Sequence, residues 1–106
     1  LSETTNQLLF VDHKMTLLMT KKHAAKEPLG MVDLKATKQE LSFVFENETE
    51  TWLIKDTKVA IQQKNKLILY HKQLDKTYYL LSHPRFNAYK YLELIELVKG
   101  EIAHGL

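Results

Sequence analysis

Five histidines, at positions 13, 23, 71, 83 and 104, carry the metal-ligating nitrogen chemistry of this 106-residue chain, which has no cysteine. Zinc sites gather three or four ligands on one face, through paired spacings such as His-x-x-x-His with a carboxylate nearby, and none of the five fits such a pattern. Without cysteine there are no thiol nucleophiles, disulfides, iron–sulfur clusters or thiolate zinc sites. The serines, Ser2, Ser42 and Ser82, lie outside any G-x-S-x-G elbow, and Ser82 beside His83 reads as the lead into a helix. Acid–base catalysis needs carboxylates converging in a pocket. Glu46, Glu48 and Glu50 crowd one turn, where mutual repulsion should send them into solvent. Glu93 and Glu96 share a polar helix face with Lys90 and Lys99. The glycines at 30, 100 and 105 are isolated, so no phosphate-cradling loop is available. These residues argue against an enzyme and imply neither a metal nor a cofactor.

Two other groupings remain. Phe43, Phe45, Trp52, Leu69 and His71 fall on the inward face of alternating runs and could line a small apolar ligand site. His71 shares the face of Leu67 and Leu69, where a lone histidine is ordinarily a hydrogen-bonded core residue. The second grouping is Tyr70, Lys72, Lys76 and Tyr79, a tyrosine–lysine surface suited to nucleobases or lipid headgroups. Tyr78 and Tyr79 must point to opposite sheet faces.

Charge narrows the partners. Fifteen basic and thirteen acidic residues leave a formal +2, too even for a dedicated nucleic-acid binder. Arg85 is the only arginine, so bidentate forks on phosphate or guanine are scarce. The lysines nevertheless cluster. Lys14, Lys21, Lys22, Lys26, Lys35 and Lys38 meet only Glu27 and Asp33 over residues 14–38. Lys55, Lys58, Lys64, Lys66, Lys72 and Lys76 meet only Asp56 and Asp75 over residues 55–76.

The elements that must position these side chains read as one domain over residues 1–106, with a frayed start at 1–6, an antiparallel β-meander over 7–81 and a helix over 84–104. In residues 8–19, Leu8, Val11, Met15 and Leu18 have helical spacing. The β-branched and threonine content favours two strands flanking a turn at Asp12-His13-Lys14. From Gly30 a two-residue period is clear: Val32, Leu34 and Ala36, then Leu41, Phe43 and Phe45, then Trp52 and Ile54, Val59 and Ile61, Leu67 and Leu69. Short connections rich in Asn, Asp, Lys and Glu separate the runs, too short for parallel crossovers. Pro84 suits a first helical turn. Beyond it Ala88, Tyr91, Leu92, Ile95 and Val98 form one apolar stripe, with Leu94 and Leu97 widening it. Gly100 weakens the helix near its end.

A bent sheet of six to eight strands closed by one amphipathic helix resembles, in pattern and length, the pleckstrin-homology superfold and less closely the lipocalin and fatty-acid-binding barrels. The terminal-helix tryptophan of pleckstrin-homology domains has no counterpart, because Trp52 lies in a strand, and no functional residue is carried over. The fold expected is thus mainly β with a C-terminal α-helix, a small barrel or half-barrel. Its expected function is noncatalytic recognition of a protein or peptide at a sheet edge or helix groove. The alternatives are carriage of a small apolar ligand inside the barrel and lysine-mediated contact with anionic lipid or nucleic acid, with nucleic acid the weaker. Pairing of sheet edges would also permit a homo-oligomer. No stretch is apolar enough to span a membrane. The expectation is a soluble domain, cytoplasmic by default and exported or anchored if a leader preceded Leu1.

Overall fold

The computed structural model describes residues 7–21 and 24–104; the frayed start expected at 1–6 lies outside the described residues. The elements are β1 (Phe10–Lys21), β2 (Glu27–Ala36), β3 (Glu40–Val44), β4 (Thr49–Leu53), a 3-10 turn (Ile54–Asp56), β5 (Thr57–Gln63), β6 (Lys66–His71), β7 (Lys76–Leu81) and helix α1 (Tyr89–His104). The strands form a single antiparallel sheet in the order β4-β3-β2-β1-β7-β6-β5, bent into a half-barrel with the helix against it. The two-residue period does the sorting. Leu41, Phe43, Trp52, Leu67, Leu69, Tyr78 and Leu80 are buried, while Ser42, Thr51, Ile68 and Tyr79 alternate onto the outer face. Each such Leu or Phe contributes about 1.5–3 kcal/mol relative to an exposed position.

The meander is interrupted once. β4 and β5 are consecutive in the chain yet stand at opposite ends of the strand order. Between them the 3-10 turn redirects the chain without reversing it. Ile54 is buried there and its N–H donates to Gln39 O at 2.9 Å, while the Thr57 hydroxyl donates to Leu53 O at 2.9 Å. β1 joins the two halves by pairing with both β2 and β7.

β1 corrects the hairpin expected around Asp12-His13-Lys14, for it is one strand of 12 residues. Its register against β2 shifts between Asp12 and Met15, with Lys14 at φ 56°. The shift is held by Asp33, which accepts from Lys14 N–H at 2.9 Å and meets His13 Nδ1 at 3.1 Å. Turn-like residues here produce a bulge rather than a reversal, because apolar positions on both sides continue into the same core. A second bulge lies between Leu17 and Leu18, opposite Gly30 at φ 104°, a backbone angle that favours glycine.

The helix begins at Tyr89, not at Pro84. Pro84 instead sits inside a tight turn closed by Phe86 N–H on His83 O at 3.0 Å, and Ala88 N–H donates to Lys64 O at 2.8 Å. Asn87 caps the helix, its Oδ1 accepting from Tyr89 N–H at 3.1 Å. The helix continues through Gly100 to His104. Tyr91, Leu94, Ile95 and Val98 are buried, whereas Leu97, expected to widen the stripe, is 56% exposed. The helix packs along β5 and the 3-10 turn, and through Tyr91 it reaches Phe10 on β1, with ring centroids 5.5 Å apart.

Candidate functional site

The inward aromatics come together and pack on one another. Trp52 stacks on Tyr78 at 4.6 Å, Phe43 meets both edge-on at 4.8 and 5.0 Å, and His71 meets Trp52 edge-on at 5.1 Å. Leu69 is fully buried in the same core, and Phe45 packs against it partly buried. His71 is buried and its Nδ1 accepts from Leu74 N–H at 3.2 Å, which fixes the ring at the start of the β6–β7 turn.

Against this cluster lies a residue the sequence reading sent into solvent. Glu50 points inward and accepts from the Tyr78 hydroxyl, from Trp52 Nε1 at 2.9 Å and from Lys76 Nζ at 2.9 Å. Burial opposes its charge, but the donors from Tyr78, Trp52 and Lys76 prevail and hold its carboxyl below the usual glutamate range. Burial and then the bond to Glu50 push the Tyr78 hydroxyl far above the usual tyrosine range. The signal was in the alternation, since Glu50 stands two residues before Trp52 and must share its face.

The same parity divides the tyrosine–lysine surface. Lys76 turns inward to Glu50 and lies 5.1 Å from the Tyr78 ring, so it leaves the outer face. Tyr70 and Tyr79 do lie on that face, half-buried, with Lys72 exposed in the turn beyond β6. Tyr70 donates to Asp75 at 3.1 Å, and the cation over Tyr79 is Lys26, 4.3 Å from the ring centroid. A hollow of about 90 Å³ beside them is lined by Leu18, Lys26, Lys66, Ile68 and Tyr79 among others. A more open groove of about 350 Å³ runs between Leu29–Met31 and Phe45–Glu48. Neither reaches Trp52, Leu69 or His71. Among the described residues no three His, Asp or Glu side chains converge as a metal site would require. No described helix is long and apolar enough to cross a membrane.

The sheet's two ends differ. β5 is flanked by α1, whose Lys99 ammonium donates to Thr57 O, and β5 carries Lys58. Among the described residues β4 pairs only with β3. Phe45 N–H donates to Glu48 O and Ile54 N–H to Gln39 O, so the register places the hydrogen-bonded pairs at Phe43–Glu50 and Leu41–Trp52. The alternate residues Thr49, Thr51 and Leu53 therefore aim their N–H and C=O groups away from β3. Leu53 O is taken by Thr57, and the others have no partner among the described residues. Thr49, Thr51 and Leu53 expose their side chains, Leu53 by 42%. His13 is solvent-facing, and His23 and the His104 side chain lie outside what is described.

No protein-family model matches this chain, and no curated protein matches it.

Proposed function

We propose that this domain is a noncatalytic recognition module that captures an extended peptide by strand addition to β4. The observation that carries the reading is the row of outward backbone groups at Thr49, Thr51 and Leu53, on a short strand that no lysine, proline or bulge guards and that no described element covers. Natural edge strands are blunted by lysine, proline, a bulge, an inward-pointing charge or a covering element, and the inward charge of β4, Glu50, is neutralised by Lys76. Thr49–Leu53 contains neither Lys nor Pro, and its ladder with β3 has no register shift. Main-chain bonds would supply affinity, and Leu53 with the Thr49 and Thr51 side chains would read alternate residues of the guest. Glu46 and Glu48, exposed at the head of the strand, favour a guest with basic residues at that end. The carrier reading has less support, because Phe43, Trp52, Leu69 and His71 fill the interior against one another.

Peptides selected from a displayed library of random extended sequences test this. They are expected to protect the Thr49, Thr51 and Leu53 amides from hydrogen exchange and to lose binding to Thr51→Pro, which removes an outward N–H without touching the β3 ladder. Thr51→Val, which keeps that N–H, should retain binding. Peptides that bind Thr51→Pro undiminished would overturn the proposal. Concentration-dependent dimerisation abolished by Thr51→Pro would instead seat a second copy of this chain on the edge.

A further inference from the structure

We propose that Lys58, Lys72 and Lys99 form a binding site for a phosphate monoester dianion. The three come from different elements, β5, the turn after β6 and the C-terminal half of α1, and converge on one stretch of backbone. Lys99 Nζ donates to Thr57 O, the carbonyl just before Lys58. Lys72 N–H donates to Asp56 O at 3.3 Å, one residue earlier. The fold therefore brings the Lys99 ammonium to residue 57, and the β5–β6 register puts the Lys58 and Lys72 side chains on the same sheet face as Asp56. Lys58 and Lys72 are exposed, and Lys99 is half-buried.

The local acid is Asp56, whose carboxylate is already engaged by Gln73 Nε2 at 3.4 Å. No carboxylate among the described residues forms an ion pair with any of the three lysines. Three ammonium charges against one carboxylate leave two positive charges, which matches the roughly −1.5 to −2 of a phosphate monoester at pH 7. The electrostatics agree. Burial first, then the nearby Lys72 and Lys58, push the Lys99 ammonium below the usual lysine range, with Asp56 opposing. Like charges held together at this cost are relieved by an external anion. Lysines suit the task as mobile point charges that can close on a phosphate without bidentate geometry. The Thr57 hydroxyl already donates to Leu53 O, so the attraction rests on the ammonium groups.

The same dianionic phosphoryl group is presented by free phosphate and by the monoester headgroup of phosphatidic acid, and two arms of one experiment separate these sources. In the first, inorganic phosphate is titrated into the protein at constant ionic strength with chloride as the balancing anion, and lysine side-chain and backbone resonances are followed. A saturable response confined to Lys58, Lys72, Lys99 and the Thr57 and Gln73 amides is expected, with Lys99 titrating closer to an ordinary lysine when phosphate is present. In the second arm, vesicles of phosphatidylcholine with and without phosphatidic acid are sedimented with the protein. Retention on the anionic vesicles without a saturable response to inorganic phosphate assigns the site to the headgroup. Lys99→Met keeps the buried stem, and Lys58→Met lies on an exposed face away from the core; each should weaken the response several-fold. Lys35→Met and Lys38→Met should not. A response spread evenly over all lysines, one reproduced by chloride, one unchanged in Lys58→Met and Lys99→Met, or none in either arm would overturn the proposal.

Discussion

The half-barrel contains the same small chemical device twice. At one place Tyr78 donates to Glu50, Lys76 pairs with that carboxylate at 2.9 Å, and the ammonium lies 5.1 Å from the Tyr78 ring. At the other Tyr91 donates to Asp12, Lys90 pairs with it at 2.9 Å, and the ammonium lies 5.5 Å from the Tyr91 ring. What each joins is different. The Glu50 device ties edge strand β4 to β7 across the interior, whereas the Asp12 device ties α1 to the bulge of β1. Glu50 also accepts a third donor, Trp52 Nε1, amid the Phe43, Trp52 and Tyr78 rings. Lys90 is held over Phe10 and Phe86 as well, at 5.2 and 5.7 Å. A carboxylate with a tyrosine and a lysine thus serves as a general clamp, and its energetic weight follows from how many donors depend on it. On the proposed reading the Glu50 clamp bears on recognition, because it fixes from within the strand whose outer edge carries the unpaired backbone groups.

Truncating the two carboxylates breaks this comparison most directly. Glu50→Ala strands a tyrosine hydroxyl, an indole N–H and an ammonium, and is expected to cost about 2–4 kcal/mol, because three donors lose their acceptor even though the carboxylate itself is 27% exposed. Asp12→Ala strands one hydroxyl and an ammonium that is 33% exposed and can turn to solvent, so about 1–3 kcal/mol is expected. Urea unfolding followed by circular dichroism measures both. Equal losses would show that the third donor and the enclosing rings add nothing.

Much of the fold was legible because burial enforces parity. The strands from Val32 to Leu81 needed only a period of two, and the apolar stripe from Ala88 to Val98 located the helix. Parity was plainest where apolar and polar residues alternated, and it was passed over where a polar residue pointed inward. Glu50 was grouped with Glu46 and Glu48 by composition, although its alternation with Trp52 placed it inside. Its partners Tyr78 and Lys76 lie on another strand, which local pattern cannot bring near. Asp12-His13-Lys14 looked like a turn because the residues that make bulges also make turns, and only pairing with Asp33 distinguishes them. The outward backbone of β4 could not be read, since edge position depends on the whole strand order.

Alkali should load both clamps in the same sense. For Tyr78 and Tyr91, burial and the bond to a carboxylate both raise the hydroxyl above its ordinary value of 10. The folded state therefore keeps protons that the unfolded state releases. This contribution is full below pH 10 and is lost as the pH rises above it. Absorbance titration should show these two tyrosines ionising only as the chain unfolds, and Tyr78→Phe and Tyr91→Phe should each remove one of these late-titrating groups. Early ionisation of Tyr78 with Tyr91 held back would show that the interior clamp is more open to water than the helix clamp.

Acid should give the smallest effect, and in the Glu50 clamp it follows from opposing causes. Burial would raise the Glu50 carboxyl, while the donors from Tyr78, Trp52 and Lys76 lower it, so the net lowering is a difference rather than a sum. A lowered native value means that the unfolded state takes up the proton first. The stability this supplies is present above the ordinary glutamate value of 4.5 and declines as the pH falls below it, toward the lowered native value. Protonated Glu50 still offers a carbonyl oxygen to Trp52 or Tyr78, which limits the loss further. Chemical denaturation across this range should therefore show a shallower acid decline in Glu50→Gln than in the parent chain. An identical slope in both would mean that ion pairing with Lys76 is weak and that the clamp holds β4 through its neutral hydrogen bonds alone.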